Sequence, residues 1–320
     1  MPGDALPSLP PGDHSLLVID RFLPQEGLHL FNRAEFFRLH AEGDGHYFQW
    51  VVDGRACATL HFTRVREQVW RSPARGTFGG LSCSHGIRPE VLAEFLAEVT
   101  ACLAEQGART LEVLLPPAQH AMADGAVEYF LLRSLGFRES LVDLNYGLPV
   151  DQRPFPERLN HANRKRLNKC QREGFSATAL PAGELPAAYA VIAENRAARG
   201  FPVTMQLAQL EQMQALFPDA VALYGCHRQQ ELVAAAICLQ LTPQVLYVFY
   251  WGDRPGFAQY SPVALLAQSI YEDCQRRGIA LLDAGTSTLD LQLNPGLIAF
   301  KRGLGFEESL KFRLEKTFDA

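Results

Sequence analysis

The chain has 320 residues, of which 48% are hydrophobic and 20% charged, and its formal net charge is −5. That length favours two domains of ordinary size, and the acidic balance gives no reason to expect DNA as a global partner. No apolar run is long enough to span a bilayer.

Residues 1–13 are rich in Pro and Gly and lack the basic start and apolar core of a signal peptide; they read as a flexible leader. Leu16-Leu17-Val18-Ile19 predicts a first strand, and residues 32–40 a short helix carrying Phe36, Phe37 and Leu39. Residues 47–53 and 55–62 predict a hairpin across Asp53-Gly54, a strong two-residue turn signal. A strand near 67–70 leads into the glycine-rich turn Ser72-Pro73-Ala74-Arg75-Gly76-Thr77-Phe78-Gly79-Gly80. Residues 89–106 form an amphipathic pattern with Val91, Leu92, Phe95, Leu96, Val99 and Leu103 on one face. A buried strand at 111–115, a helix at 126–135 and a strand at 137–146 complete the first half.

The chain turns prolyl and polar at 149–156, which sets the expected boundary: one domain over 14–150 and another over 151–320. The second half starts with a basic helix (156–173) bearing Arg158, Arg164, Lys165, Arg166, Lys169 and Arg172. A strand at 175–180, helices at 185–199 and 207–217, a hairpin of 220–226 with 231–241, and a strand at 245–251 follow. After a loop at 252–260 comes a helix over 261–277, with Ser261 as its cap and Pro262 at its first position. Ile279-Ala280-Leu281-Leu282 reads as a buried strand ending on Asp283-Ala284-Gly285-Thr286, a short helix spans 295–304, and a last strand runs over 306–314.

The two halves repeat one order of elements, and short strings repeat with it. Gln106-Gly107-Ala108-Arg109-Thr110-Leu111-Glu112 parallels Arg277-Gly278-Ile279-Ala280-Leu281-Leu282-Asp283, and Leu135-Gly136-Phe137-Arg138-Glu139-Ser140-Leu141 parallels Leu304-Gly305-Phe306-Glu307-Glu308-Ser309-Leu310. The pattern predicts an α/β protein with mixed sheets built by duplication. The first copy carries Leu132 where the second carries Lys301. A lysine on an apolar helical stripe either snorkels or works.

Each half resembles the GCN5-related N-acetyltransferase (GNAT) fold, and the second also resembles the branch related to Fem-type aminoacyl transferases of cell-wall synthesis. The residues that carry the resemblance are Asn163-Arg164-Lys165-Arg166-Leu167-Asn168-Lys169 with Arg172 and Gly174, Arg196 with Arg199-Gly200, Tyr260-Ser261-Pro262, Asp283-Ala284-Gly285, and Phe300-Lys301 with Leu304-Gly305-Phe306; Phe78-Gly79-Gly80 fits in the first half. The resemblance implies two tandem GNAT-like domains, the first degenerate. It implies an acyl-CoA co-substrate, acetyl-CoA before others, lying in the gap between residues 247–251 and 279–283; no metal is expected. It implies Lys301 as oxyanion donor or donor-orienting group. Asp283, at the strand end, would act as general base or bind a substrate ammonium, and Tyr250 would protonate the leaving thiolate or bind substrate. Trp251, Arg254, Gly256, Ala258, Tyr260 and Ser261 would then hold the cofactor, its phosphates meeting the start of the long helix. The loop Arg254-Pro255-Gly256-Phe257-Ala258 is one residue shorter between arginine and glycine than the family's usual form. Arg164, Glu194, Arg196 and Arg199 would border a small-molecule or peptide amine acceptor.

Two other functions fit: Fem-type transfer from aminoacyl-tRNA to a cell-wall precursor, and a binding protein of this fold that has lost its chemistry. The seven scattered cysteines read as buried thiols of a reducing cytoplasm. The short Cys83-Ser84-His85 element has no second pair at zinc-ligand spacing.

Overall fold

A computed structural model describes residues 15–41, 43–120 and 122–318, so the expected leader lies outside the described residues. The chain divides into two compact units: Met1–Val142 with Lys311–Ala320, and Asp143–Leu310.

In the first unit, β1 (Ser15–Ile19) pairs antiparallel with β2 (Gly45–Val52), after the short helix α1 (Ala34–His40). β2 and β3 (Arg55–Arg66) form the expected hairpin. Asp53 and Gly54 both take positive φ, 48° and 76°, the combination a tight primed turn requires. β4 (Val69–Ser72) runs antiparallel to β3, and the two-residue β5 (Ser82–Cys83) also pairs with β3. α2 (Pro89–Glu105) buries Leu92, Phe95, Leu96, Val99 and Leu103 in a core shared with Trp50, Leu111 and Val113. It leads to β6 (Thr110–Leu114), parallel to β4. α3 (Met122–Ser134) follows, and then β7 (Arg138–Pro149).

The second unit takes β7 from Asp143 onward. It continues with α4 (Phe155–Arg158), α5 (His161–Arg172), β8 (Phe175–Leu180), α6 (Leu185–Ala198) and α7 (Leu207–Leu216). Next come β9 (Val221–Arg228), β10 (Glu231–Thr242), β11 (Val245–Asp253) and the long α8 (Pro262–Arg277). β12 (Leu281–Thr286), the small pair β13 (Thr288–Leu289) and β14 (Gln292–Leu293), α9 (Pro295–Gly303) and β15 (Glu307–Thr317) end the chain. The sheet order is β7-β12-β11-β10-β9-β8. Its core lies between α8, α5 and the sheet face carrying Tyr224, Ala234, Ala236, Cys238, Leu246 and Val248.

The units do not end where the sequence halves end. β15 pairs with β6 through Arg313–Thr317 against Leu114–Thr110, whereas β7 pairs with β12 through residues 145–149. Each repeat's last strand therefore completes the sheet of the other unit. Both strands follow the same helix–glycine turn, so the local pattern is identical and only long-range pairing chooses the partner. None of the seven cysteines is in a disulfide; five are buried and Cys83 and Cys102 are half-buried.

Candidate functional site

The duplication is visible atom by atom where the second half's lysine stands. In both copies a glycine with positive φ (Gly136, +93°; Gly305, +87°) ends the helix. The next amide bonds back to the matched position: Phe137 N–H to the Leu132 carbonyl at 3.0 Å, and Phe306 N–H to the Lys301 carbonyl at 3.1 Å. Upstream, the carbonyls of Gln68 and Gln244 each accept two amides, from Arg109 and Thr110 and from Ala280 and Leu281. Leu132 and Lys301 thus occupy equivalent buried places, 2% and 1% exposed.

Lys301 does not snorkel. Its Nζ donates to the carbonyls of Gly285 and Thr286 at 2.9 and 2.8 Å, and lies 5.3 Å from the centre of the Tyr146 ring. Burial lowers its pKa to about 7, with the Asp283 charge opposing. A shift of that size corresponds to roughly 5 kcal/mol against the charged form, a cost that Leu132 avoids. Its ionisation also changes what it offers. The ammonium has a third hydrogen beyond the two given to the carbonyls, while the neutral amine has a bare lone pair instead.

The carbonyls that hold Lys301 come from an irregular strand end. β11 and β12 pair in parallel only at Val245↔Leu281, Leu246↔Leu282 and Tyr247↔Asp283, and β11 continues to Asp253 without β12. Beyond Tyr247 the two strands part. On its other side β12 slips register against β7 between Asp283 and Thr286. Gly285, at φ +73°, makes that bulge possible. The Asp283 carboxylate, 1% exposed, accepts from Gly285 N–H at 2.7 Å and from Asn145 Nδ2 at 2.8 Å. It shapes the bulge from within.

α9 is fixed from below. Asn294 caps it at the Leu297 amide, as the sequence suggests. At its other end, Asn160 N–H donates to the Gly303 carbonyl. A Cβ at Gly303 would fall 2.2 Å from Asn163 Nδ2, so only glycine lets α5 and α9 approach this closely.

Tyr250 is directed elsewhere. Its hydroxyl bonds Thr204 Oγ1 at 2.6 Å and accepts from Met205 N–H at 3.1 Å, and the Arg196 guanidinium lies 4.9 Å from its ring centre. Trp251, its neighbour, packs instead against Phe300 and Phe306. The loop after β11 also departs from expectation. Arg254 turns back, donating to the Leu232 carbonyl and pairing with Glu194 at 2.9 Å. Gly256 supplies a turn at φ +92°, and Ala258 and Tyr260 bound a single 3-10 turn. Ser261 stands at the N-cap of α8 but in the left-handed region (φ 55°), and its side chain makes no capping hydrogen bond; Pro262 is at the first position as expected.

Arg164 and the α6 residues have separate tasks. Arg164 donates to the carbonyls of Pro156 and Leu159 and so holds the turn before α5. Arg196 donates to the Pro202 carbonyl, and Arg199 lies 3.8 Å from Asp253. Asp253 and Asn195, both buried, were not expected: Asn195 Nδ2 donates to the carbonyl and carboxylate of Asp253 and packs on Gly252. Asn145 and Tyr146 were also missed; a polar pair inside an apolar strand was the available signal.

Around the start of α8 the side chains are basic and aromatic. Lys169 and Arg228 stand 5.0 and 5.2 Å from the Tyr260 ring centre, and Arg228 also lies over Phe175. Lys165, Asn168, Lys169, Gln171 and Arg172 line an open pocket of about 850 Å³. Among the described residues no group of His, Cys, Asp and Glu is placed to hold a metal ion, and no helix is long and apolar enough to cross a membrane.

Residues 161–301 match the family model described as an acetyltransferase (GNAT) domain. No curated protein matches the chain. Among solved structures, FemX is similar over 90% of this chain and 92% of its own, at TM-score 0.67 and 12% identity. The C-terminal domain of a putative lysylphosphatidylglycerol synthetase from Agrobacterium fabrum is similar over 91% and 88%, at TM-score 0.59 and 10% identity. A tandem GNAT protein from the clavulanic acid biosynthesis pathway is similar over 94% and 98%, at TM-score 0.53 and 12% identity. At these identities the likeness is one of fold. The parted β11 and β12, the long helix that joins them and the repeated order of elements agree with it: the chain is a tandem GNAT-fold protein, and the stretch that the GNAT domain model matches, 161–301, lies in its second unit.

Proposed function

We propose that the second unit transfers an acyl group from a thioester, acyl-CoA before other donors, to an amine, and that Lys301 is its central residue. The observation that carries this is a buried lysine, held by the Gly285 and Thr286 carbonyls where β11 and β12 part. Acyl transfer to an amine needs a donor for the tetrahedral oxyanion and a proton acceptor for the attacking nitrogen. A lysine whose pKa lies at about 7 can serve in either sense at neutral pH. In this reading Asp283 is a positioning residue: it holds the bulge and keeps Lys301 from losing its proton too readily. Tyr250 and Arg254, each held by neighbours, support the walls. Trp251, Tyr260 and the loop from Gly256 to Ser261 border the donor, with Lys169 and Arg228 facing its phosphates. Arg196, Arg199 and Glu194 remain candidates for the acceptor side. Arg164 contributes through the turn it fixes.

The same basic surface favours a second reading, Fem-type transfer from aminoacyl-tRNA, because Lys165, Lys169, Arg172 and Arg228 suit a nucleic-acid backbone as well as a cofactor's phosphates. A protein that binds without catalysis is the third. Calorimetry with acetyl-CoA and with aminoacyl-tRNA, followed by turnover with the donor that binds, separates the three. Acetyl-CoA binding is expected. Saturable binding of aminoacyl-tRNA alone would move the assignment to the second reading, and binding of either without turnover to the third.

A further inference from the structure

The second unit carries an apolar projection that nothing in the acyl-transfer reading uses. β13 and β14 form a two-stranded sheet of their own, paired at Thr288↔Leu293 and Leu289↔Gln292 and closed by Asp290-Leu291. Both turn residues take positive φ, 47° and 62°. That is a tight primed turn, for which Asn-Gly is the ordinary choice, and a leucine in the left-handed region is strained. The hairpin is fixed at its base. Ser287 N–H donates to the Leu144 carbonyl at 2.9 Å, Asn294 N–H to the Ser287 carbonyl at 3.0 Å, and Thr288 Oγ1 to Asp143 Oδ1 at 2.6 Å. The hairpin starts just beyond Thr286, whose carbonyl holds Lys301.

Three leucines stand on it: Leu289, Leu291 and Leu293, 67%, 64% and 61% exposed. They are three of the seven large apolar side chains that are exposed among the described residues. A single exposed leucine is ordinary, but a cluster of them on one projection is not. Their directions matter more than their number. Residues paired across an antiparallel hairpin share a face, and successive pairs alternate. Leu293, beside Thr288, and Leu289, beside Gln292, therefore look to opposite faces, with Leu291 at the turn between them. No single flat surface covers both faces. A stable protein interface takes about 800 Å² from each partner, which so short a hairpin does not supply. A fluid hydrocarbon layer has neither restriction: it closes around a tip from every side, and its stabilisation grows with apolar area alone. Asp290 is the hairpin's one charged residue and the chain's net charge is −5, so this tip has no electrostatic attraction to anionic headgroups.

We propose that the β13–β14 tip is a wedge that inserts its three leucines into the surface of a lipid bilayer with zwitterionic headgroups. Insertion is shallow and reversible, since one small apolar anchor holds a protein only weakly at a membrane. It brings the strand end that holds Lys301 close to the bilayer surface. The proposal rests on the hairpin alone and stands or falls independently of acyl transfer.

The test floats the full-length chain with vesicles of phosphatidylcholine, and with vesicles of phosphatidylcholine and phosphatidylglycerol in equal parts, at low and high salt. Binding to phosphatidylcholine alone is expected, little changed by salt. The joint substitution Leu289→Ser, Leu291→Ser and Leu293→Ser is expected to weaken that binding about tenfold or more. The thermal midpoint should stay in place, because the three side chains are exposed. Leu291→Trp adds a direct readout: in the vesicle-bound protein its fluorescence is expected to shift to the blue and to be quenched by brominated acyl chains. The proposal is overturned by an absence of binding, or by binding that the joint substitution leaves unchanged. Binding that requires phosphatidylglycerol and is lost in high salt overturns it too, as does a Leu291→Trp signal that brominated lipid leaves unquenched. A dimer in solution that the joint substitution splits is equally fatal, because a second copy would then cover the tip.

Discussion

The two units place the same turn, the same strand register and the same buried helical position side by side for comparison, and fill them differently. In the first unit, the carboxylate at the strand end is Glu112, which Arg71 and Arg66 neutralise at 2.5 and 3.1 Å, and the helix contributes Leu132. In the second, the carboxylate is Asp283, which accepts from Gly285 N–H and Asn145 Nδ2, and the helix contributes Lys301. The first arrangement is a closed structural pair beside an apolar core. The second keeps a buried lysine close to its neutral form at a place where two strands part. A scaffold has no use for that cost, so the difference separates what the fold requires from what chemistry would require.

The comparison can be broken by exchanging the residues. Leu132→Lys buries an ammonium that has no carbonyl bulge to receive it, and its expected cost of about 3–5 kcal/mol would show as a large fall in the denaturant midpoint. If that variant were as stable as the parent, the two sites would not be as different as their partners imply. The reverse exchange, Lys301→Leu, should reduce acyl transfer by about 10²–10³-fold, the range seen when an oxyanion donor is removed. Melting should show the fold intact. Turnover at the parental rate would remove Lys301 from the chemistry.

A titration sharpens the same contrast. Lys301 has its folded pKa at about 7 against 10.5 for the free side chain. Between those values the unfolded chain holds a proton that the folded chain has released, so stability should rise as pH increases from 7 towards 10.5. Below 7 both states are protonated and the full burial cost applies. Lys301→Leu should flatten that part of the stability curve, which urea titrations at several pH values would reveal; an unchanged slope would mean that Lys301 is not the group responsible. The smallest effect is expected from Asp283→Asn. The amide still accepts from Gly285 N–H, but the charge that raises the Lys301 pKa is gone, so the midpoint of the pH–rate profile should move downward with little loss of maximal rate. An upward shift would contradict the electrostatic role given to Asp283.

Much of this was legible in the chain itself. The repeated Leu-Gly-Phe strings, the Asp-Gly hairpin and the Asn294 cap are local signals, because a left-handed glycine or a capping side chain acts within a few residues. Lys301 was legible as an anomaly on a stripe. Tyr250 was not. β11 and β10 shift register between Ile237 and Cys238, opposite Tyr250 and Val248, and one extra residue in a strand reassigns the faces beyond it. The local geometry of Arg254 and Ser261 was not legible for a related reason: it depends on the Leu232 carbonyl and Glu194, and on a left-handed turn before α8.

By itself, then, the sequence determined the order of elements, the duplication and the exchange of Leu132 for Lys301, since each is written in short-range periodicity or direct identity. Tertiary structure alone decided that β7 completes the second unit's sheet and β15 the first's, that Asp283 folds into the bulge, and that Lys301 is 1% exposed with two carbonyl partners. Those outcomes depend on contacts between residues far apart in the chain, such as Asn145 with Asp283, whose energies appear only when the strands have paired.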